Sequence, residues 1–365
     1  MEKQGFSVYM CILIWFVPLV ASSQVVGNSP LVWENNIINL GAVLEENGEA
    51  TAEFYFVNKA DFPVYVEDVI TDCGCTAAEY TTDTLFKDKI GLVKVRFDPQ
   101  SRGGSFSKMV LVRTNIDTDG DSLFLEGINV PMPGDVQKHY KVNKEGLGFA
   151  LPVINLGTVF TDKPKVKPLD FYNFNDYPVQ LNQVQQDLPE HIKVRMIPAV
   201  AQPKSRAVLE ITYDPAMAMD LGFLQEEFKL SLLTFEKKDI TLNLVTTVHE
   251  HFDPVPVTEI DNQPKLRIKE NEVDLQKIRA SNSVSRIITM ENAGAQPLNI
   301  RKIVTNCGCL SYDVPKYDLE VGEKMDLVLT FDPRGRRGID HKTLTIFSND
   351  PLNPTQTVVI KSRIN

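Results

Sequence analysis

Two Cys-Gly-Cys triplets, Cys73-Gly74-Cys75 and Cys307-Gly308-Cys309, carry the sharpest chemistry in the sequence. In both, the first cysteine stands 24 positions before the Phe of a Phe-Asp-Pro, at Phe97 and Phe331. Constant spacing makes each pair a part of the fold. Two thiols this close can close a local disulfide, exchange with other thiols, or hold a soft metal as thiolates. Metal is the weakest branch, because two thiolates make half a tetrahedral site and no His or third Cys accompanies either pair. In an extended strand, residues two apart have Cα atoms roughly 6.6 Å apart. A disulfide tolerates up to about 6.8 Å, and Gly74 and Gly308 let the chain turn. Local Cys73–Cys75 and Cys307–Cys309 bonds are therefore expected. So short a loop adds little stability, and strain near the geometric limit favours reduction.

Three further clusters could do chemistry, and each has a plainer reading. Asp117, Asp119 and Asp121, with Glu126 downstream, imitate the spacing of a calcium loop. Position eight, however, is Ser122, and no helical pattern flanks the segment. A solvated hairpin tip explains it, since Asp, Asn and Gly are the residues turns require. His249-Glu250-His251 could aim two imidazoles the same way, but zinc needs a third ligand, so a solvated strand end is expected. Arg334, Arg336 and Arg337 form a basic knot that could contact an anion or an acidic partner, or simply be a charged loop. No Ser-His-Asp or Cys-His grouping, nucleotide glycine loop or carboxylate pair stands out, so a non-enzymatic chain without cofactors is expected.

The elements that must position these residues occur three times. Segments 31–43, 147–159 and 266–278 open alike, each leading to a short strand that ends near Leu40, Leu156 or Leu275. Asn58, Asn173 and Asn292 each stand five residues before a proline: Pro63, Pro178 and Pro297. Apolar and polar residues then alternate towards Val69, Val184 and Ile303. Phe97-Asp98-Pro99, Tyr213-Asp214-Pro215 and Phe331-Asp332-Pro333 close each copy. Strict alternation marks half-buried strands. Short strands, regular turn signals and repeat units of about a hundred residues indicate an all-β chain of three tandem immunoglobulin-like sandwiches. Their expected bounds are 30–131, 147–249 and 265–365, joined like beads by linkers near 132–146 and 250–264.

The order of Asn, Pro, alternating strand, Cys-Gly-Cys, Phe-Asp-Pro and Ser-Asn-Asp-Pro resembles a large bacterial exported family of unknown function with an Ig-like fold. That family is similar to Hydin-type, major-sperm-protein and PapD-like sandwiches. The first copy carries the pattern through Asp72 to Thr76, Phe97-Asp98-Pro99 and Arg102. The third carries it through Asn306 to Cys309, Phe331-Asp332-Pro333, Arg336 and Asn349-Asp350-Pro351. In the middle copy Asp187-Leu188-Pro189 takes the cysteine slot and no Arg-Gly follows Asp214-Pro215. The resemblance implies a fold and an exported, modular habit, and no activity.

Lys3, the apolar run 8–21 and the small residues Ala21-Ser22-Ser23 give the order of a secretory signal peptide over 1–23. The run is shorter than the roughly 20 residues a spanning helix needs, so cleavage with no remaining membrane span is expected. Cys11 leaves with the signal, and four cysteines remain, an even count suited to an oxidising periplasmic or extracellular space. A net charge of −10 without a basic stripe excludes nucleic acid. The expected function is a scaffold that binds a protein or polymer of the cell envelope. Its alternatives are a thiol-redox or soft-metal protein using the Cys-Gly-Cys motifs, and a PapD-like chaperone that lends a strand to a client.

Overall fold

Alternation is what folds the chain. In the strand Ile90–Phe97 every second side chain, Val93, Val95 and Phe97, is buried, and the strands Arg206–Tyr213 and Lys324–Phe331 fill the same place in the other two copies. A strand with one apolar face must cover it, here against a second sheet. The computed structural model describes residues 29, 31–182, 186–234 and 237–365. The expected signal peptide and Val184 lie outside the described residues.

The first sandwich has one sheet in the order Leu31–Trp33, Ala50–Asn58, Ile90–Phe97, Thr76–Tyr80. The facing sheet runs Ile37–Leu44, Asp117–Val130, Gly104–Thr114, Val66–Thr71. The third sandwich repeats both orders and adds the short strand Asp318–Leu319 at one edge. The second repeats them with one extra strand in each sheet, Val142–Lys144 and Val200–Ala201. Each sandwich encloses its own apolar core, around Phe54, Phe56 and Phe97 in the first, Phe149, Phe171 and Tyr213 in the second, and Met290, Leu327 and Phe331 in the third. The chain is thus three tandem Ig-like sandwiches. Among the described residues, no helix is long and apolar enough to cross a membrane.

The three repeated asparagines are fully buried. Asn58 Nδ2 donates to Phe62 O (3.0 Å) and Leu85 O (2.9 Å), and its Oδ1 accepts from Ala60 N (2.9 Å). Asn173 donates to Tyr177 O and Ala201 O, and Asn292 to Gln296 O (2.8 Å) and Leu319 O (3.1 Å). Their Oδ1 atoms take the N–H of Asn175 and Gly294. A buried amide persists only when its donors and acceptor are all used, as here. It joins the turn before the proline to a loop 27 or 28 residues later.

The strands expected to end near Leu40, Leu156 and Leu275 continue instead, through a bulge. They run Ile37–Leu44, Val153–Phe160 and Glu272–Ile278, each parallel to its neighbour with a register shift. Asn39, Asn155 and Asp274 accept the N–H of the residue two further on, at 2.7 Å in every copy. That residue is left-handed: Gly41 and Gly157 adopt it freely, and Gln276 takes it at φ 57°.

The first expected linker is built into the second sandwich, while residues 256–262 of the second expected linker are exposed. Val136–His139 forms a short helix capped by Asp135, Val142–Lys144 adds a strand, and Tyr140 is buried. Tyr140 hydroxyl donates to Asp170, while Arg206 Nη1 donates to that hydroxyl at 3.1 Å. Burial, and secondarily the Asp170 bond, raise the Tyr140 pKa above its ordinary value. At the second junction Val257–Asn262 is a 3-10 turn, and Ala295 N donates to Gln263 O at 3.0 Å. The chain divides into two compact units, residues 1–131 and 132–365. The second and third sandwiches therefore share one unit and are not free beads.

Replacing Asn292 by Ala orphans two carbonyls and one N–H. Only the Leu319 bond is fully buried and the other two are part-buried. At about 1–3 kcal/mol for a fully buried unsatisfied group and less for the others, urea unfolding should show stability reduced by about 2–4 kcal/mol. Asn292→Asp, which keeps the acceptor and loses the donors, should also be destabilising.

Candidate functional site

At one end of the first and third sandwiches the strand after the proline turns through Cys-Gly-Cys into the next strand. The structure joins Cys73 to Cys75 and Cys307 to Cys309, with Cα separations of 5.3 and 5.1 Å. Those spans are shorter than two residues of extended strand because the chain bends at the glycine. Cys75 is buried against the first core, Cys309 packs partly against the third, and Gly74 and Gly308 are exposed.

The two turns share one backbone frame. Thr76 N donates to Cys73 O (3.2 Å) and Leu310 N to Cys307 O (3.0 Å). Asp98 N donates to Cys75 O (2.9 Å) and Asp332 N to Cys309 O (2.8 Å), which ties each turn to its Phe-Asp-Pro. Thr71 and Thr305 hydroxyls donate back across the turn to Cys73 O and Cys307 O. Asp72 and Asn306 accept from Met109 N (3.3 Å) and Thr343 N (3.0 Å) on the neighbouring strand.

The side chains around the sulfurs differ. At the first turn the Thr76 hydroxyl lies 3.4 Å from Cys73 Sγ and 3.8 Å from Cys75 Sγ. At the third, Leu310 replaces that threonine, and Arg336 Nη2 donates to Cys307 Sγ at 2.9 Å. Cys309 N donates to the same sulfur at 3.1 Å. Arg336 Nη1 also reaches Asp340 at 3.4 Å, and Asp340 pairs with Lys342. Arg102 occupies the register of Arg336, but it is exposed and, among the described residues, donates to neither sulfur of its turn.

The middle sandwich keeps the frame with other chemistry. Ile192 pairs with Tyr213 as Thr76 pairs with Phe97 and Leu310 with Phe331. Ile192 N donates to Pro189 O, and Asp214 N to His191 O, both at 2.8 Å. The cysteine slot is thus Pro189-Glu190-His191, two residues beyond the expected Asp187-Leu188-Pro189. Backbone register decides the slot, and Pro189 stands 24 residues before Tyr213 as Cys73 and Cys307 stand before Phe97 and Phe331. His191 Nε2 lies 2.6 Å from Glu226 Oε2, and Tyr213 hydroxyl donates to Glu226 Oε1 at 2.9 Å. Burial, then the Glu226 bond, raise the Tyr213 pKa above its ordinary value. Counting 22 residues back from the aromatic of each Asp-Pro motif, to Cys75, Cys309 and His191, would have found this cluster from the sequence.

The remaining candidates are spread out. Asp117 Oδ1 accepts from Asp119 N (3.1 Å) and Gly120 N (3.0 Å), while Asp121 Oδ2 accepts from Ser29 (2.6 Å) and Trp33 Nε1 (2.8 Å). These carboxylates hold a turn together. The corresponding Asp350 is fully buried and accepts from Leu266 N at 3.0 Å, so this hairpin is not a solvated tip in the third copy. Among the described residues no three His, Cys, Asp or Glu side chains are grouped to hold a metal. Of the basic knot, Arg334 binds Asp332 through both oxygens, Arg336 lies between Cys307 and Asp340, and Arg337 is exposed. The Arg334 hydrogen bonds hold the Asp332 carboxyl down to about 2.

His249-Glu250-His251 is not a solvated end. His249 lies between Phe160 and Phe347, with centroids 5.8 and 6.3 Å away. Glu250 accepts two bonds from Arg301, at 2.9 and 3.1 Å. His251 instead faces Asp162 and Asp253, so the two imidazoles do not converge. Lys302 adds contacts to Asp220 (2.5 Å) and Leu221 O (2.8 Å). Gly222, at φ 87°, lets Phe347 approach: a Cβ there would stand 3.1 Å from its ring. Beside these contacts lies a cleft of about 570 Å³ between the second and third sandwiches, bordered by Phe223, Thr247, His249, Asn306 and Thr343.

This combination of a sandwich, a buried corner asparagine and a Cys-Gly-Cys turn defines a modular β-sandwich class. A family model described as "Protein of unknown function (DUF1573)" matches residues 31–129 and 266–364. The chain belongs to that family, and its middle sandwich lies outside both matches. No curated protein matches the chain. Among solved structures, a protein of unknown function from Porphyromonas gingivalis W83 is similar at 16% identity and a TM-score of 0.44, covering 60% of this chain and 99% of that one. The ASH/PapD-like domain 7 of human CEP192 is similar at 11% identity and a TM-score of 0.25, covering 32% of this chain and 94% of that one.

Two outcomes are expected. In Arg334→Gln, the Asp332 carboxyl should titrate by NMR above about 2 but still below the ordinary carboxylate value, because the backbone N–H of residue 334 still donates to it. Because the folded value is depressed, this pair's contribution is present above the ordinary carboxylate pKa and is lost as pH falls towards 2. In the hairpin, Asp117→Asn/Asp119→Asn should leave the melting temperature equally insensitive to added calcium, since a ligand of the folded state would raise it.

Proposed function

We propose that the chain is an exported, non-enzymatic scaffold whose sandwiches present a surface to a protein or polymer of the cell envelope. The observation that carries this is the join between the second and third sandwiches. The bidentate Arg301–Glu250 pair, the Lys302–Asp220 pair and Phe347 against Gly222 fix two sandwiches as one body. Fixing modules in advance reduces what a partner must order on binding. The cleft beside the join offers the exposed ring of Phe223 with threonine hydroxyls around it, a mixed apolar and polar lining suited to recognition.

Export is supported by the Lys3, apolar-run and Ala21-Ser22-Ser23 order at the N-terminus, and by the cysteine pairs of an oxidising compartment. The sheet edges favour a scaffold over a chaperone that lends or accepts strands. Leu31–Trp33 and Leu266–Ile268 are only three residues long, and Ile37–Leu44 and Glu272–Ile278 are bulged. The edge strand Val66–Thr71 carries Glu67 and Asp68, and Ile192–Ile197 carries Lys193 and Arg195. Short, bulged and charged edges resist pairing with another chain.

Crosslinking pull-down of the mature chain from envelope extract should recover one specific protein or polymer. Phe223→Glu, an exposed position that leaves the core intact, should reduce recovery roughly ten-fold, about 1.4 kcal/mol of binding. Equal recovery with both forms, or none with either, would remove the cleft and the scaffold reading with it.

A further inference from the structure

The two Cys-Gly-Cys turns have the same backbone and different electrostatics, and that difference concerns thiol chemistry. We propose that Cys307–Cys309 is a thiol–disulfide exchange site for an incoming cysteine thiol, while Cys73–Cys75 is its slow structural counterpart. This goes beyond the scaffold reading and does not rest on it.

Disulfide exchange is limited by how well the departing sulfur carries negative charge. At the third turn one sulfur is prepared for that charge. Cys307 Sγ receives the Arg336 guanidinium at 2.9 Å and the Cys309 N–H at 3.1 Å. Cationic and N–H donors stabilise a thiolate far more than a neutral disulfide sulfur, because the charge exists only after the bond breaks. Asp340 shares Arg336, but Lys342 pairs with the same carboxylate, so Asp340 is not neutralised by Arg336 alone. At the first turn the polar neighbour is the neutral Thr76 hydroxyl, at 3.4 Å or more. No cation is on that sulfur.

Gly74 and Gly308 are both exposed, and a Cβ built on either would meet nothing within 4 Å, so the outer face of each turn is open and the sulfurs' own burial separates them. Neither Cys307 nor Cys309 is fully buried, whereas Cys75 is.

The exchange balances as follows. A partner thiolate attacks Cys309 Sγ in line with the S–S bond. The electron pair of that bond leaves on Cys307 Sγ, held by Arg336 and the Cys309 N–H, and a mixed disulfide joins the partner to Cys309. A second thiolate of the partner then attacks the partner's own sulfur. The partner leaves as a disulfide, and Cys309 departs as a thiolate that takes a proton from water. The chain has been reduced by two electrons and the partner dithiol oxidised by two.

The test uses the oxidised mature chain, reduced glutathione as the probe thiol, and rapid alkylation followed by mass spectrometry of each turn. Cys307–Cys309 is expected to open about ten-fold faster than Cys73–Cys75 in the same molecule. Glutathione should be trapped on Cys309, with the alkylating agent on Cys307. Arg336→Gln should slow the third turn to near the rate of the first, and Arg336→Lys should restore most of it. Asp340→Asn, which removes the competing carboxylate, should accelerate it and serves if Arg336→Gln does not fold. The Cys73–Cys75 rate is the internal control and should not move. Equal rates at the two turns, glutathione trapped on Cys307, or rates indifferent to Arg336 and Asp340 would overturn the assignment. None of these outcomes depends on partner capture at the cleft, so this proposal and the scaffold reading fail separately.

Discussion

Everything at the working end of each sandwich hangs on one buried amide. Asn58, Asn173 and Asn292 each bond the turn four residues ahead to a carbonyl 27 or 28 residues ahead. The bond to the distant carbonyl, Leu85 O, Ala201 O or Leu319 O, is buried in every copy, where no water can replace the amide, so the side chain ties the loop to the turn. Fixing the turn sets where the next strand begins. In the first and third copies that strand delivers the Cys-Gly-Cys turn to the Phe-Asp-Pro backbone. A β-sheet allows no half-measures in this, because a one-residue slip would exchange core and solvent faces.

On that fixed frame the chemistry varies by substitution alone. The same two backbone hydrogen bonds hold a disulfide beside a threonine hydroxyl in the first sandwich and one beside an arginine in the third. In the middle sandwich they hold a His191–Glu226–Tyr213 cluster. The middle copy also reverses charge: Asp220 stands where Arg102 and Arg336 stand, two residues before the shared Gly, and Glu226 where Lys108 and Lys342 stand, four after it. Asp220 is the residue that Lys302 of the third sandwich binds. The cysteine-free slot and the docking carboxylate thus lie at the same end of the same module.

The repeat landmarks, the alternation and the Cys-Gly-Cys spacing made the three sandwiches legible in the sequence, because side-chain period and turn chemistry are local properties. The buried role of the asparagines was half legible: their spacing to proline was visible, but burial was not. The bulge at Asn39, Asn155 and Asp274 looked like a strand end, since a left-handed residue interrupts the pattern whether or not the strand continues. The segment around Tyr140 reads as a linker because it is polar and turn-rich, yet it adds a strand to the second sandwich and buries Tyr140.

What the sequence determined by itself is the repeated sandwich, the position of each cysteine pair at a strand end, and the acidic character of the chain. Those follow from period, spacing and composition, which neighbouring residues encode directly. Tertiary structure alone decided which sulfur faces Arg336, and that Glu250 and Asp220 clasp the third sandwich. The physical reason is distance along the chain: Arg336 lies 29 residues from Cys307, Arg301 lies 51 from Glu250, and Lys302 lies 82 from Asp220. Contacts over such separations depend on sheet register and on how one sandwich meets the next, and no local pattern records either.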